Sequence, residues 1–371
     1  MRYRLADPVI DEVQIEAMKT VLLSKQLVHG AFCNQFESDL AKYLEVESDQ
    51  VAVTSSCTAS LHLALLALSI GAGDAVIVPN FTFPATVNVV EVVGATPIFV
   101  DVNSTHYVMT IDGIKATYAS FHESQNIRAI IVVHEFGAAV NMEEVSKFAR
   151  EKNLLVIEDA ACAFGSSLEG KKVGLLSDIG CFSFHPRKAL TTGEGGAVVS
   201  RDASLIDRCK VLRNHGMQTQ DGHVDFVAPG LNYRMTNFQA VLGTEQLKHF
   251  DDWVTLRKQL QNRYREMIMS PFLTHPVDQE GHTWQSYMVV LDESIDRDAL
   301  IKSLKNEGVE TNYGAYAVLS TKYYRENYGA IYESGMPISE KLFKQGLCLP
   351  LHQTLTLNDI DEIARILNRY L

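Results

Sequence analysis

Residues 179–200 read IGCFSFHPRKALTTGEGGAVVS. Two apolar runs, IGCFSF (179–184) and GAVVS (196–200), bracket a polar stretch with one lysine, Lys188, that ends in a glycine turn. Apolar runs of about four to eight residues bounded by turn residues mark strands buried on both faces. The same pattern recurs upstream in VAVT (51–54), AVIVP (75–79), PIFVDV (97–102), AIIVVHEF (129–136) and LLVIEDA (154–160). Stretches with helical spacing lie between them, such as TASLHLALLALSI (58–70) and MEEVSKFARE (142–151). Strand and helix in alternation predict an α/β domain built on a mostly parallel sheet.

The pattern changes after about residue 235. The stretch MTNFQAVLGTEQLKHFDDWVTLRKQLQNRYREM (235–267) reads as one long helix bridging into a second region. A strand, SYMVVLD (286–292), and helices DALIKSLKNEG (298–308) and LNDIDEIARILNRYL (357–371) follow it. The expected division is a large domain over 1–240, then a bridging helix and a smaller α+β domain over 241–371.

The chain has 371 residues, of which 46% are hydrophobic and 21% charged, the balance of a soluble globular protein. Its net charge of -12, with no block of clustered cations, argues against nucleic acid as the main partner. A small anionic ligand needs only a few local donors and stays open. No apolar run reaches the ~18 residues of a membrane span. The opening MRYRLADPVIDEV acquires Asp7, Asp11 and Glu12 before any long apolar run, unlike an export signal. Cys33, Cys57, Cys162, Cys181, Cys209 and Cys348 form no CxxC pair. Reduced thiols, a cytoplasmic location and no bound metal are therefore expected.

In open parallel sheets, ligands bind outside the carboxyl ends of the strands, and four stretches fall there. In TSSCTASLHLALL (54–66) a strand ends and a helix starts near Thr58. Its free N–H groups suit a phosphate, although Ser56 or Thr58 acting as a plain helix cap accounts for the same residues. In VIEDAACAFGS (156–166), Asp159 closes a buried strand and can hold a cation or a protonated ring nitrogen, or else cap the following loop. In NFTFPATVN (80–88), Phe81 and Phe83 can stack on a flat heterocycle or simply pack in the core. Lys188 itself follows a strand end by a few residues, with Ser183 upstream and GEGG (193–196) downstream. The glycine run is neither a P-loop nor a dinucleotide fingerprint. An anion pocket, a buried carboxylate, an aromatic plate and an amine are together what pyridoxal phosphate requires.

At these residues the sequence resembles the DegT/DnrJ/EryC1/StrS sugar aminotransferases, a branch of the aspartate-aminotransferase-like, fold-type I pyridoxal phosphate enzymes. The resemblance runs through SLHLALLAL, VIVPNFTFPAT, GATPIFVDV, VIEDAACAFGS, FSFHPRKALTTGEGGAVV, LRNHGM, LNYRMTNFQAVLG and CLPLHQTL. It implies that Lys188 binds the cofactor as a Schiff base and that Asp159 pairs with the pyridine nitrogen. It further implies that Cys57, Thr58 and Ser183 hold the phosphate and that Phe83 stacks on the ring. Asn232 matches an asparagine that reaches the phosphate in the neighbouring subunit, which implies a homodimer with shared active sites.

The departures from the family pattern are Cys57 for a usual Gly, Cys162 for a usual Gln beside the ring hydroxyl, and His185 for a usual Tyr. Asn312 lies near where a His is common. The subset His185, Gln285, Asn312 and Tyr313 is expected to bear on the substrate. Relatives with His in place of the lysine are sugar dehydratases, so Lys188 favours transamination. The activity implied is transfer of an amino group from an amino acid, glutamate by resemblance, to the keto group of a nucleotide-linked deoxy sugar. A 4-keto-6-deoxy hexose is the expected acceptor. A keto-cyclitol aminotransferase of antibiotic synthesis and a non-catalytic regulator that kept the cofactor pocket are the other readings.

Overall fold

The computed structural model describes residues 1–332 and 335–371. All seven expected strands form, and they make a single sheet. They are β1 (Val51–Thr54), β2 (Ala75–Pro79), β3 (Thr96–Val100), β4 (Ile127–Val133), β5 (Leu155–Asp159), β6 (Ile179–Ser183) and β7 (Gly196–Val199). Their spatial order is β1-β7-β6-β5-β4-β2-β3, with β7 antiparallel to both neighbours and the remaining pairs parallel. β4 begins earlier than expected and stops at Val133, because the chain turns sharply at Phe136 (φ 55°) and Gly137 (φ 103°).

The helices in chain order are α1 (Glu12–Ser24), α2 (Ala31–Leu44), α3 (Cys57–Ala67), α4 (Ala85–Val92), α5 (Ile111–Phe121), α6 (Met142–Lys152) and α7 (Ala203–Leu212). They continue as α8 (Asn237–Leu247), α9 (Phe250–Met267), α10 (Arg297–Asn306), α11 (Lys322–Tyr328), α12 (Pro337–Gln345) and α13 (Leu357–Asn368). Alternate strand residues bury toward opposite layers, as period-two geometry requires. Val76, Val78, Ile157 and Val198 pack with Leu61, Leu65 and Ile206 of α3 and α7. Ile77, Ile130, Val132 and Val156 pack on the other face with Ile114, Val145 and Phe148 of α5 and α6.

The single helix expected over 235–267 is two helices, α8 and α9, parted at Lys248 and His249 (φ -111°, ψ 1°). α8 lies so close to α2 that a Cβ on Gly243 would overlap the ring of Phe36. Immediately after the break, Phe250 is 1% exposed and its ring sits 5.0 Å from Phe164 and 5.7 Å from Tyr43. One straight rod cannot keep both contacts and also deliver Leu260 and Tyr264 into the next core. Residue 240 falls inside α8, and the packing changes hands within α9, between Val254 and Leu260.

Beyond it, β8 (Leu273–Thr274), β9 (Tyr287–Leu291) and β10 (Gly346–Leu349) form an antiparallel sheet. Leu260, Tyr264, Trp284, Tyr287, Ile360 and Ile363 make its core. Part of this half returns to the large sheet. Tyr316–Ala317 pair with Phe81–Thr82, and Tyr324, Tyr328 and Tyr332 surround the ring of Phe99. The carboxyl ends of β4, β5 and β6 therefore open into a cleft roofed by the C-terminal half. Among the described residues, no helix is long and apolar enough to cross a membrane.

Candidate functional site

The first wall of the cleft is the start of α3. Register aligns Thr54 with Gly196 and Gly196 with Ser183, so these residues form a row across β1, β7 and β6. Ser56 caps α3 by accepting the Ala59 N–H at 3.1 Å. The N–H groups of Cys57 and Thr58, in the first helical turn, have no intrahelical acceptor. A Cβ on Gly196 would lie 2.6 Å from Cys57 N and from Ser56 C, so glycine there lets β7 pass directly against the backbone that starts the helix. The Cys57 side chain is buried in the core that also holds Ile157, Cys181 and Val198. Thr58 is exposed, and Ser183 is buried with its Oγ accepting the His185 N–H at 3.4 Å.

Asp159 ends β5 and is 3% exposed. Its Oδ2 accepts from Thr86 Oγ1 at 2.7 Å and its Oδ1 from Ala161 N at 3.0 Å. Burial pushes this carboxyl above the ordinary range, and the Thr86 and Ala161 donors pull it back. Among the described residues no lysine or arginine pairs with it. A buried carboxylate with neutral donors only suits a protonated group on a ligand.

Lys188 stands on the loop between β6 and β7, half-buried. The loop is pinched shut where Phe184 N donates to Gly195 O at 2.9 Å and Thr192 N to Phe184 O at 2.9 Å. The return turn uses Gly193 at φ 83°, a conformation open to glycine. Lys188 Nζ donates to Cys162 Sγ at 2.9 Å, which ties the lysine to the segment just after Asp159. Burial opposes the charge on Lys188, but Cys162 and Glu135 beside it outweigh that and hold its pKa above the ordinary lysine value.

Phe83 is 64% exposed and forms an aromatic wall with Tyr316 at 6.2 Å, so it is not a core residue. Tyr313 joins the same wall, 5.4 Å from Tyr316. Asn312 pairs its main chain with Cys348 and turns its Oδ1 to the Tyr313 N–H at 2.8 Å. Both residues line a pocket with Arg187, Ser286 and Cys348. His185 stays at the rim of the lysine loop, its Nε2 3.9 Å from Glu194 Oε1, and burial lowers its pKa. Asn232 is solvent-exposed, two residues before Arg234, the bridge partner of Thr54. Gln285 borders the same pocket, and both ends of its amide bind the backbone around Lys188.

Other residues at this site were not singled out from the sequence. Thr86 shares the NFTFPAT stretch with Phe83. His134 donates from Nε2 to Glu158 at 2.9 Å, and Glu158 also accepts from Gly174 N, Leu176 N and Ser177 Oγ. This buried network fixes the ends of β4 and β5. Glu135, the acid in AIIVVHEF, is 4% exposed, and among the described residues no other side chain hydrogen-bonds its carboxyl.

Burial pushes Glu135 up to about 8 from its ordinary 4.5, against the pull of the Lys188 amine. The folded chain then holds a proton that the unfolded chain has released, so stability falls as pH rises from about 4.5 to about 8. Glu135→Gln should abolish that fall. Thermal melts of the cofactor-free protein are expected to match wild type below pH 4.5 and exceed it above pH 8. Parallel curves across the range would contradict the burial argument.

The sequence pattern of the DegT/DnrJ/EryC1/StrS aminotransferase family matches residues 8–368. The GDP-perosamine synthase of Escherichia coli O157:H7 is 36% identical over 343 residues, covering 92% of this chain and 90% of that protein. The GDP-perosamine synthase of Caulobacter vibrioides is 34% identical, covering 100% of this chain and 98% of that one. The crystal structure of the aminotransferase TlmJ from Streptoalloteichus hindustanus matches with TM-score 0.89 and 29% identity, covering 99% of this chain and 98% of its own. The fold class and the family read from the sequence are both borne out. The chain belongs to the DegT/DnrJ/EryC1/StrS aminotransferase family.

Proposed function

We propose that this member of the aminotransferase family uses pyridoxal 5'-phosphate to move an amino group from an amino acid, glutamate, to the keto group of a nucleotide-linked deoxy sugar. The expected acceptor is a 4-keto-6-deoxy hexose. The observation that carries the reading is Lys188, its amine 2.9 Å from Cys162 Sγ, at the same sheet end as the buried Asp159. The nucleotide-sugar assignment is supported by the two GDP-perosamine synthases at 36% and 34% identity.

Protein side chains offer no electron sink for breaking a Cα–H bond, and pyridoxal phosphate supplies one when bound. The residues fit that group. The Cys57 and Thr58 N–H groups, free at the start of α3, and the Ser183 hydroxyl would hold its phosphate. Asp159, with Thr86 and Ala161 fixing its two oxygens, would keep the ring nitrogen protonated. Lys188 would hold the cofactor covalently between turnovers. With its amine free, Lys188 Nζ would move the substrate proton as general base and then acid. Cys162, 2.9 Å from Lys188 Nζ, would offer a thiol to the ring hydroxyl where the family usually offers a side-chain amide.

Phe83 would cover one ring face. Since it is 64% exposed, Phe83→Ala should leave the melting of the cofactor-free protein nearly unchanged. Cofactor binding, read by absorbance titration, should weaken by about 2- to 10-fold, the value of one stacking contact. An unchanged affinity would remove Phe83 from the site.

The working form is a homodimer with shared sites, in the cytoplasm. Its support is apolar surface: Val13, Leu22, Leu23 and Val28 are exposed on and just after α1, and Phe226 on the 217–226 hairpin. Asn232, exposed in one protomer, would then complete the phosphate site of its partner. The test of function is incubation of the pure protein with pyridoxal phosphate, glutamate and nucleotide-linked keto sugars. Formation of an amino sugar with matching 2-oxoglutarate is expected, and no amino sugar from any of them would refute the proposal.

A further inference from the structure

The lysine loop is held from outside by one side chain of the C-terminal half. Gln285 Oε1 accepts the Ala189 N–H at 2.9 Å, and its Nε2 donates to Arg187 O at 2.6 Å. An N–H must meet the amide oxygen and a carbonyl must meet the amide nitrogen, so these partners allow one orientation of the group. The two peptide groups bound are those on either side of Lys188.

The clamp is itself fixed. Gln285 is 8% exposed, and its main-chain N donates to Phe136 O at 2.9 Å. Its main-chain O accepts from Arg257 Nη1 at 3.2 Å. Arg257 on α9 is 2% exposed and also donates to Trp284 O at 3.1 Å, Leu351 O at 3.0 Å and Gln353 Oε1 at 3.1 Å. Gln353 Nε2 in turn reaches Ala189 O at 3.5 Å. Among the described residues no carboxylate pairs with Arg257. A buried guanidinium spent on neutral oxygens costs solvation that a hydrophobic residue would not, so it is expected where it fixes geometry.

We infer that Gln285 is a positioning residue for Lys188, its amide locking the peptide planes before and after the lysine, with Arg257 and Gln353 holding the clamp in place. A lysine side chain has several free rotors, and the direction of its Cα–Cβ bond decides where the amine can reach. That direction is set by the two flanking peptides. Loops of this kind are mobile unless tied down. A misplacement of about 1 Å at reacting atoms costs on the order of 10²-fold in rate. Gln285 also borders the pocket of Asn312 and Tyr313, yet its oxygen and one N–H are committed to backbone, which argues against a role in reading substrate.

The inference rests on Lys188 carrying the cofactor, and the two can fail separately. Borohydride reduction and peptide mapping of the wild-type holoenzyme should put the label on Lys188; a label elsewhere sinks that reading. Gln285→Leu, mapped the same way, should still carry the label on Lys188. The pH titration of its lysine-bound cofactor absorbance should shift, and kcat should fall by about 10- to 100-fold with KM for glutamate changed little. If Gln285→Leu does not accumulate as folded protein, Gln285→Glu serves. It keeps the volume and the acceptor for Ala189 but loses the donor to Arg187, and the same shift and loss of kcat are expected. A variant labelled on Lys188 with a wild-type titration and wild-type kcat would overturn the proposal, even if it melted earlier.

Discussion

Lys188→Ala should leave a folded protein that no longer forms a borohydride-stable link to pyridoxal phosphate and no longer transfers amino groups. The side chain is half-buried, and among the described residues its one hydrogen-bonded contact is the Cys162 sulfur, so its removal leaves only a shallow gap at the cleft. Melting within a few degrees of wild type is expected. The chemical loss is large because two roles vanish together. Covalent anchoring goes, and so does the amine that moves the proton. General acid–base catalysis alone is worth about 10²- to 10⁴-fold. Steady-state rates with glutamate and a keto sugar, followed by 2-oxoglutarate release, would measure it. Retention of more than about a tenth of the wild-type rate, against a loss of that size, would show that the reacting amine lies elsewhere.

Asp159→Asn is the next largest effect. The amide oxygen can still accept from Thr86 or Ala161, so β5 should end as before and stability should change little. What disappears is the negative charge in a site that is 3% exposed, where a charge acts through little water. By analogy with the removal of one preorganised charge-stabilising group, kcat/KM should drop on the order of 10²- to 10³-fold. The variant should also hold the cofactor more weakly, read by absorbance after dialysis. Activity near wild type would mean that the ring nitrogen has another partner.

The strands of the large sheet were legible because each is a short apolar run closed by turn residues, and burial on both faces leaves little else to read. Asp159 and Lys188 were legible as charged residues placed just past such runs. The break between α8 and α9 was not. LKHFDD contains neither Gly nor Pro, and what stops the helix is tertiary: Gly243 against Phe36 on one side and Phe250 among Phe164 and Tyr43 on the other. The bonds of Thr86 and of Gln285 were hidden for a related reason. Their partners lie 73 and 96 residues away, and spacing carries no information over that distance. The pairing of Tyr316–Ala317 with Phe81–Thr82 is too short to leave a pattern. Glu135 left a visible mark, an acid at the carboxyl end of an apolar run, but its burial depends on the C-terminal half that roofs it.

The central claim is that Lys188 is the residue that carries the cofactor. Wild-type holoenzyme reduced with borohydride, digested and sequenced by mass spectrometry tests it without any choice of sugar. The account predicts one modified peptide, bearing the mass of reduced pyridoxal phosphate on Lys188. A modification on any other lysine, or none after full cofactor loading, would contradict it.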